Sequence, residues 1–240
     1  MNLKFVISYD GSIYQGSQKQ PNGKTVEDEL LRVFKRLNIN TKIVLSGRTD
    51  KEVHATGQVF NCEIPEHWTD FNRFREILNK HLDSSVLVRK ISKVNDDFHS
   101  RFHAKSRVYR YLITSKPTTP FNDKFITYVK DINEDILKKA IKQFIGVYDF
   151  EYFHKTGSDK DITVREIFNT SFYKHKDIYV FNFTANSYLR SQIRLMVGFL
   201  LAINEGKLSI DDLKQQLNLE KRIFKLPAKA NGLYLAKIKY

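Results

Sequence analysis

At 240 residues, 41% of them hydrophobic, the chain can form one large domain or two small ones with real cores, and it needs no staples. Forty Lys plus Arg against 27 Asp plus Glu leave a net charge of +13, the balance of a nucleic-acid-binding surface, to which a lysine-rich background also contributes. One cysteine, Cys62, excludes an internal disulfide and a cysteine-based zinc site and predicts a reducing, cytoplasmic location, while the longest apolar run, Leu195 to Ile203, is too short to span a bilayer.

The N-terminus reads as a strand over residues 3 to 9, without the apolar region of a signal peptide, and stops at Asp10-Gly11. The polar loop from Gly11 to Lys24 has glycines at the spacing of a phosphate-binding loop, but Ser17 stands where the lysine is required, which removes that reading. Thr25 followed by Glu27 and Asp28 is an N-cap signal, and Val26, Leu30, Val33, Phe34 and Leu37 predict a helix over 25–38. A strand over 41–46 follows and ends in a turn holding Gly47, Arg48 and Asp50. A new strand runs from about His54 to Ile64, with Cys62 as a packed residue in it. The turn presents a carboxylate beside its own arginine on the rim of a scaffold; taken alone, it also fits an Asx turn with a solvated neighbour. A helix over about 69–81 and a strand opening at Val86 complete a β-α-β-β-α-β order, the ferredoxin-like pattern with an antiparallel sheet.

Residues 98 to 113 are the strongest basic and aromatic stretch. As a strand over 107–113, the period of two puts Arg107, Tyr109 and Tyr111 on one face, where tyrosines beside an arginine suit a flipped base and its phosphate. Half-buried structural tyrosines fit the same pattern equally well. His99 and His103 have helical spacing but no third ligand, so no metal is expected. The second half repeats the rhythm: a helix over about 133–145, an aromatic segment at 148–153, a flexible loop over 155–160, and strands at about 163–174 and 178–185. A helix from Ser187 to about Asn204 has Leu189, Ile193, Met196, Val197, Leu200 and Leu201 as its buried stripe. Arg190 and Arg194 lie on one face beside it, with Arg194 partly buried and in need of a carboxylate. The expected architecture is α+β: two ferredoxin-like (RRM-like) halves, residues 1–105 and 106–240, with mainly antiparallel sheets and a central basic cleft.

Several strings resemble one family. Ser46-Gly47-Arg48-Thr49-Asp50 followed by Val53-His54-Ala55-x-Gly57-Gln58-Val59 resembles the signature of the TruA-type tRNA pseudouridine synthases, departing at Lys51-Glu52 where the family has Ala-Gly. Glu52 must then take a conformation suited to glycine. Tyr9-Asp10-Gly11 with Tyr14, Gly16 and Gln18 resembles the family's first loop, with Ser17 in place of a tryptophan, and would contact RNA. Arg107-x-Tyr109-x-Tyr111, Asp149-Phe150-x-x-Phe153, Thr163-Val164-Arg165-x-Ile167, Ala185 to Arg190 with Ile193-Arg194 and Val197-Gly198, and Asn231-Gly232-Leu233-Tyr234-Leu235 resemble further segments. Ser187 replaces the family's Gly or Ala.

The resemblance implies an isomerase that converts uridine to pseudouridine in the anticodon stem-loop of tRNA, at tRNA positions 38, 39 and 40, as a homodimer. Asp50 would be the catalytic carboxylate, Arg194 its charge partner and Tyr109 the ring against the target base. Arg48 would brace the vacated stack, and Arg107, Tyr111 and Arg190 would bind RNA. The reaction needs no cofactor and no metal. The rival expectation is a non-catalytic RNA-binding protein of RRM-like architecture, which accounts for the charge and the tyrosines but gives Asp50 no task.

Overall fold

In chain order the elements are β1 (Asn2–Tyr9), α1 (Val26–Arg36), β2 (Val44–Leu45), β3 (His54–Glu63), α2 (Phe71–His81), β4 (Val86–Lys93), β5 (Ser106–Thr114), β6 (Thr127–Tyr128), α3 (Glu134–Ile141), β7 (Gly146–Asp149), β8 (Val164–His175), β9 (Ile178–Ala185), α4 (Gln192–Asn204), α5 (Ile210–Leu217) and β10 (Leu233–Lys239). They come from a computed structural model that describes residues 1–21, 23–155 and 162–240. Of the loop expected to be flexible, 155–160, all but Lys155 lies outside the described residues. Contacts divide the chain into two units, Met1–Lys105 with Tyr234–Tyr240, and Ser106–Leu233.

In the first unit, β4, β1, β3 and β2 pair antiparallel in that order, the ferredoxin-like arrangement, and β10 adds to β3 in parallel through Tyr234 opposite His54 and Leu235 opposite Ala55. Alternation sets the register, because Leu3, Phe5, Ile7 and Tyr9 all point inward and a slip of one residue would expose them together. Phe5 stacks on Phe60 at 4.5 Å between ring centres and meets Phe34 of α1 and Phe74 of α2 edge-on, so one aromatic cluster joins both helices to the sheet. Helix α1 starts where the capping signal predicts: Thr25 accepts from the Asp28 N–H and Asp28 reaches back to the Thr25 N–H. Asp70 caps α2 in the same way through the N–H groups of Asn72 and Arg73.

The strand expected over 41–46 pairs only at Val44 and Leu45, since the chain leaves the sheet at Ser46 to build the Asp50 loop. Cys62 is buried in β3, where desolvation pushes its thiol pKa well up, so it is a packing residue and no nucleophile. Tyr234–Tyr240 are fastened to this unit by Lys105 N–H to Lys239 O at 2.9 Å and by the Tyr240 hydroxyl to Ser100 O at 2.8 Å. Gly57 lets β10 approach, because a Cβ there would lie 2.3 Å from the Ala236 carbonyl oxygen.

In the second unit, β5, β9, β8 and β7 form an antiparallel array, with β6 parallel to β5 at its start. The predicted helix over 133–145 is α3 followed by a tighter 3₁₀ turn at Lys142–Phe144. The helix expected from Ser187 begins only at Gln192. Residues before it form a turn in which Ser191 has φ of 58° and the Gln192 side chain accepts the Leu189 N–H at 2.8 Å. Helix α4 is buried on nearly every side, from Ile193 through Ile203, which makes it the axis of this unit. Helix α5 has no counterpart in the expected elements, although Ser209 and Asp212 make a full capping box. Among the described residues no helix is long and apolar enough to cross a membrane.

Candidate active site and nucleic-acid interface

The loop after β2 is fixed by buried polar side chains drawn from several elements. Ser46 N–H donates to Val59 O at 2.8 Å, and Gln58, fully buried on β3, donates from Nε2 to Gly47 O at 2.8 Å. Thr49 N–H donates to Ser17 Oγ at 2.9 Å while Ser17 N–H returns a bond to Thr49 O at 3.2 Å, and the Thr49 hydroxyl pairs with the Tyr9 hydroxyl at 2.8 Å. Burial pushes the Tyr9 phenol up to about 12, so it stays protonated as a hydrogen-bonding strut. Buried polar groups of this kind are costly to leave unmade, so together they fix the backbone on the N-terminal side of Asp50. Val53 N–H to Asp50 O at 3.2 Å closes the other side. Within this frame Asp50 is half-buried and Arg48 is exposed.

Two expectations about this loop meet the structure directly. Glu52 has φ of 65°, the left-handed conformation in which glycine would be unstrained, so the strain is carried by a residue that rarely adopts it. The segment expected to touch RNA has, at Ser17, become a brace for Thr49. Sequence reasoning missed Ser17 and Gln58 as supports. The available signal was Gln58 itself, a polar residue at an inward position of a strand.

In the second unit Tyr109 is 9% exposed, and its ring meets Tyr188 edge-on at 5.2 Å and 83°. The Tyr188 hydroxyl is buried with no hydrogen-bond partner among the described residues, and desolvation pushes its pKa well up. Tyr111 is 0% exposed. Its hydroxyl pairs with Thr127 at 2.8 Å and donates to Lys229 O at 2.9 Å, so it packs inside the unit and offers no face to a base. This corrects the expectation that Tyr111 binds substrate. Alternation groups Tyr111 with Tyr109 on one face of β5, opposite the exposed Arg110, but does not by itself show that the position is interior. Arg107 donates to Asn186 O at 2.7 Å, which ties β5 to the turn before α4.

Arg194 is half-buried on α4. Its Nε donates to Ala228 O at 2.8 Å and its own carbonyl accepts the Ala228 N–H at 2.8 Å. This close docking of residues 226–228 requires Gly198, where a Cβ would lie 2.2 Å from Leu226 O. Arg190 is exposed and lines a groove of about 250 Å³ with His154, Lys155, Leu195, Arg222 and Lys225. Among the described residues no group of three His, Cys, Asp or Glu side chains could hold a metal ion.

A family model described as tRNA pseudouridine synthase matches residues 5–103 and 140–240. Asp50 and Arg194 fall inside the matched segments, and Tyr109 falls between them. The chain is 38% identical over 240 residues to tRNA pseudouridine synthase A of Campylobacter jejuni (strain RM1221), covering 100% of both chains. It is 38% identical to the Wolinella succinogenes protein of the same name, over 98% of this chain and 92% of that one. A Streptococcus agalactiae protein, again of that name, is 36% identical over 99% of this chain and 94% of its own length.

Proposed function

The chain belongs to the tRNA pseudouridine synthase family, and on that premise we propose how its residues divide the work. It is an isomerase acting on uridine in tRNA. Asp50 is the catalytic carboxylate, Arg194 its charge partner, and Tyr109 the ring that receives the extruded base. Arg48 braces the space the base leaves, while Arg107 and Arg190 serve the RNA backbone. The target uridines are those of the anticodon stem-loop at positions 38, 39 and 40. The enzyme works as a homodimer in the cytoplasm.

The single observation that carries the reading is the Asp50 loop. A half-buried carboxylate sits in the family's motif, on a backbone held by Ser17, Thr49, Tyr9 and Gln58. Isomerisation breaks the bond between C1′ and N1 and forms one between C1′ and C5; the proton on C5 is lost and N1 gains one. The balance is internal to the nucleoside, so the protein must supply an oriented carboxylate and a place for the base. Extruding the uridine costs roughly a few kcal/mol of stacking, which favours aromatic contact and preorganised groups over flexible ones. A guanidinium can fix a carboxylate's orientation through paired hydrogen bonds, the part assigned to Arg194.

The test is incubation of the protein with an unmodified tRNA transcript, followed by mapping of pseudouridine at single-nucleotide resolution. Pseudouridine at positions 38 to 40 is expected. Modification confined to other regions would overturn the target assignment.

A further inference from the structure

We propose that the groove lined by His154, Lys155, Arg190, Arg222 and Lys225 seats one backbone phosphate of the substrate RNA, a positioning role that rests on tRNA being the substrate. The groove is assembled from three stretches remote in sequence: the end of the aromatic segment, the turn before α4, and the chain after α5. Lys155 N–H donates to Arg190 O at 3.1 Å, which holds two of these together, and the His154 ring is fixed by Nδ1 to Glu151 O at 2.9 Å. Leu195 is the apolar member of the lining, and among the described residues no carboxylate belongs to it.

That composition differs from that of the basic positions that are paired with carboxylates elsewhere. Several exposed lysines elsewhere in the same unit pair with acidic side chains: Lys138 with Glu134, Lys214 with Asp211 and Lys116 with Asp177. A second groove, formed by Arg75, Glu76, Asn79, Lys80, Leu87, Val88 and Arg89, includes Glu76, which pairs with Arg73 at 3.5 Å. Among the described residues none of Lys155, Arg190, Arg222 and Lys225 makes a salt bridge. Like charges gathered in a concavity of about 250 Å³ repel one another, and a bound anion reverses that cost. Guanidinium groups can grip phosphate oxygens in pairs while the lysines add point charge, so one phosphodiester suits the lining. Contacts of this type set the register of the RNA without reading its bases. Arg190 also precedes the first turn of α4, a helix of 13 residues whose N-terminal dipole favours an anion nearby.

The test compares the double variant R222Q/K225Q with the control K138Q/K214Q, which removes the same charge elsewhere. The readouts are tRNA affinity across a salt series and, separately, kcat and KM on the transcript. The groove variant should weaken tRNA binding by roughly tenfold, lower the slope of log affinity against log salt by about 1, and raise KM with kcat nearly unchanged. R222K should recover most of the affinity, and the control pair should behave as wild type. Equal affinity and slope in the groove and control variants would overturn the proposal, as would a fall in kcat at constant KM. Inhibition by inorganic phosphate well beyond chloride of matched ionic strength, without any effect of the groove variant on tRNA affinity, would assign the groove to free phosphate and also overturn it. Affinity is read apart from turnover, so failure of this proposal is distinct from absence of pseudouridine, which would strike the functional reading.

Discussion

The loop that carries Asp50 and the platform that carries Tyr109 and Arg194 are built by different forces. The loop is tethered by polar groups: Gln58 to Gly47, Ser17 to Thr49, and Tyr9 to Thr49, each buried and each satisfied. The platform is mainly apolar. Helix α4 is buried over most of Ile193 to Ile203, Arg194 donates to the main-chain carbonyl of Ala228, and Tyr109 rests on a ring whose hydroxyl has no hydrogen-bond partner among the described residues. Hydrogen-bonded loops keep one geometry because every alternative leaves groups unpaired, whereas packed helices keep theirs because every alternative opens a cavity or a clash. On the roles proposed for them, the carboxylate to be oriented has the first kind of support, and the surface for a planar ring has the second.

The largest expected effect attacks the platform. Gly198→Ala places a Cβ 2.2 Å from the Leu226 carbonyl oxygen, a clash with backbone that a side-chain rotation cannot relieve. The cost is about 3 kcal/mol or more, and the shift of residues 226–228 should also reduce activity through Arg194. Thermal melting checks this, and a variant that melts like wild type would show that the helix and this segment are not in close contact. Next comes the loop. Gln58→Ala strands the Gly47 carbonyl and should cost about 2 kcal/mol, with turnover falling by more than the loss of folded protein explains. Turnover matching wild type at equal folded concentration would mean that the tether does not orient Asp50.

Two smaller effects should have the opposite sign and sharpen the contrast. Glu52→Gly removes left-handed strain from the loop and should raise stability by about 1 kcal/mol, partly offset by the entropy of glycine in the unfolded chain. Tyr188→Phe removes a buried hydroxyl without a partner among the described residues and should be neutral or stabilising by up to about 1 kcal/mol. A clear fall in denaturant midpoint for either variant would show that the native residue makes a favourable interaction at that position.

Much of the first unit could be read from sequence because its signals are local. The Thr25–Asp28 capping box, the alternation in β1 and the turn at Gly47 lie within a few residues of what they specify. The positive φ at Glu52 follows from the glycine that the motif has there. The second unit is less legible for identifiable reasons. Alternation along β5 shows two faces but not which of them is interior, which hides the burial of Tyr111. The turn from Ser187 to Ser191 has helix-compatible residues, and its left-handed Ser191 has no local signature, so α4 begins later than its apolar period suggests. Helix α5 did carry a legible start, in Ser209 and Asp212. The basic groove brings together residues near 154, 190 and 222, a proximity that only the fold creates.

Asp50→Asn on the transcript is the most direct test that a tethered carboxylate does the chemistry. The substitution keeps size and shape, so the variant should melt as wild type and bind tRNA with similar affinity, yet form no pseudouridine in a single turnover. Pseudouridine accumulating at the wild-type rate would contradict the account.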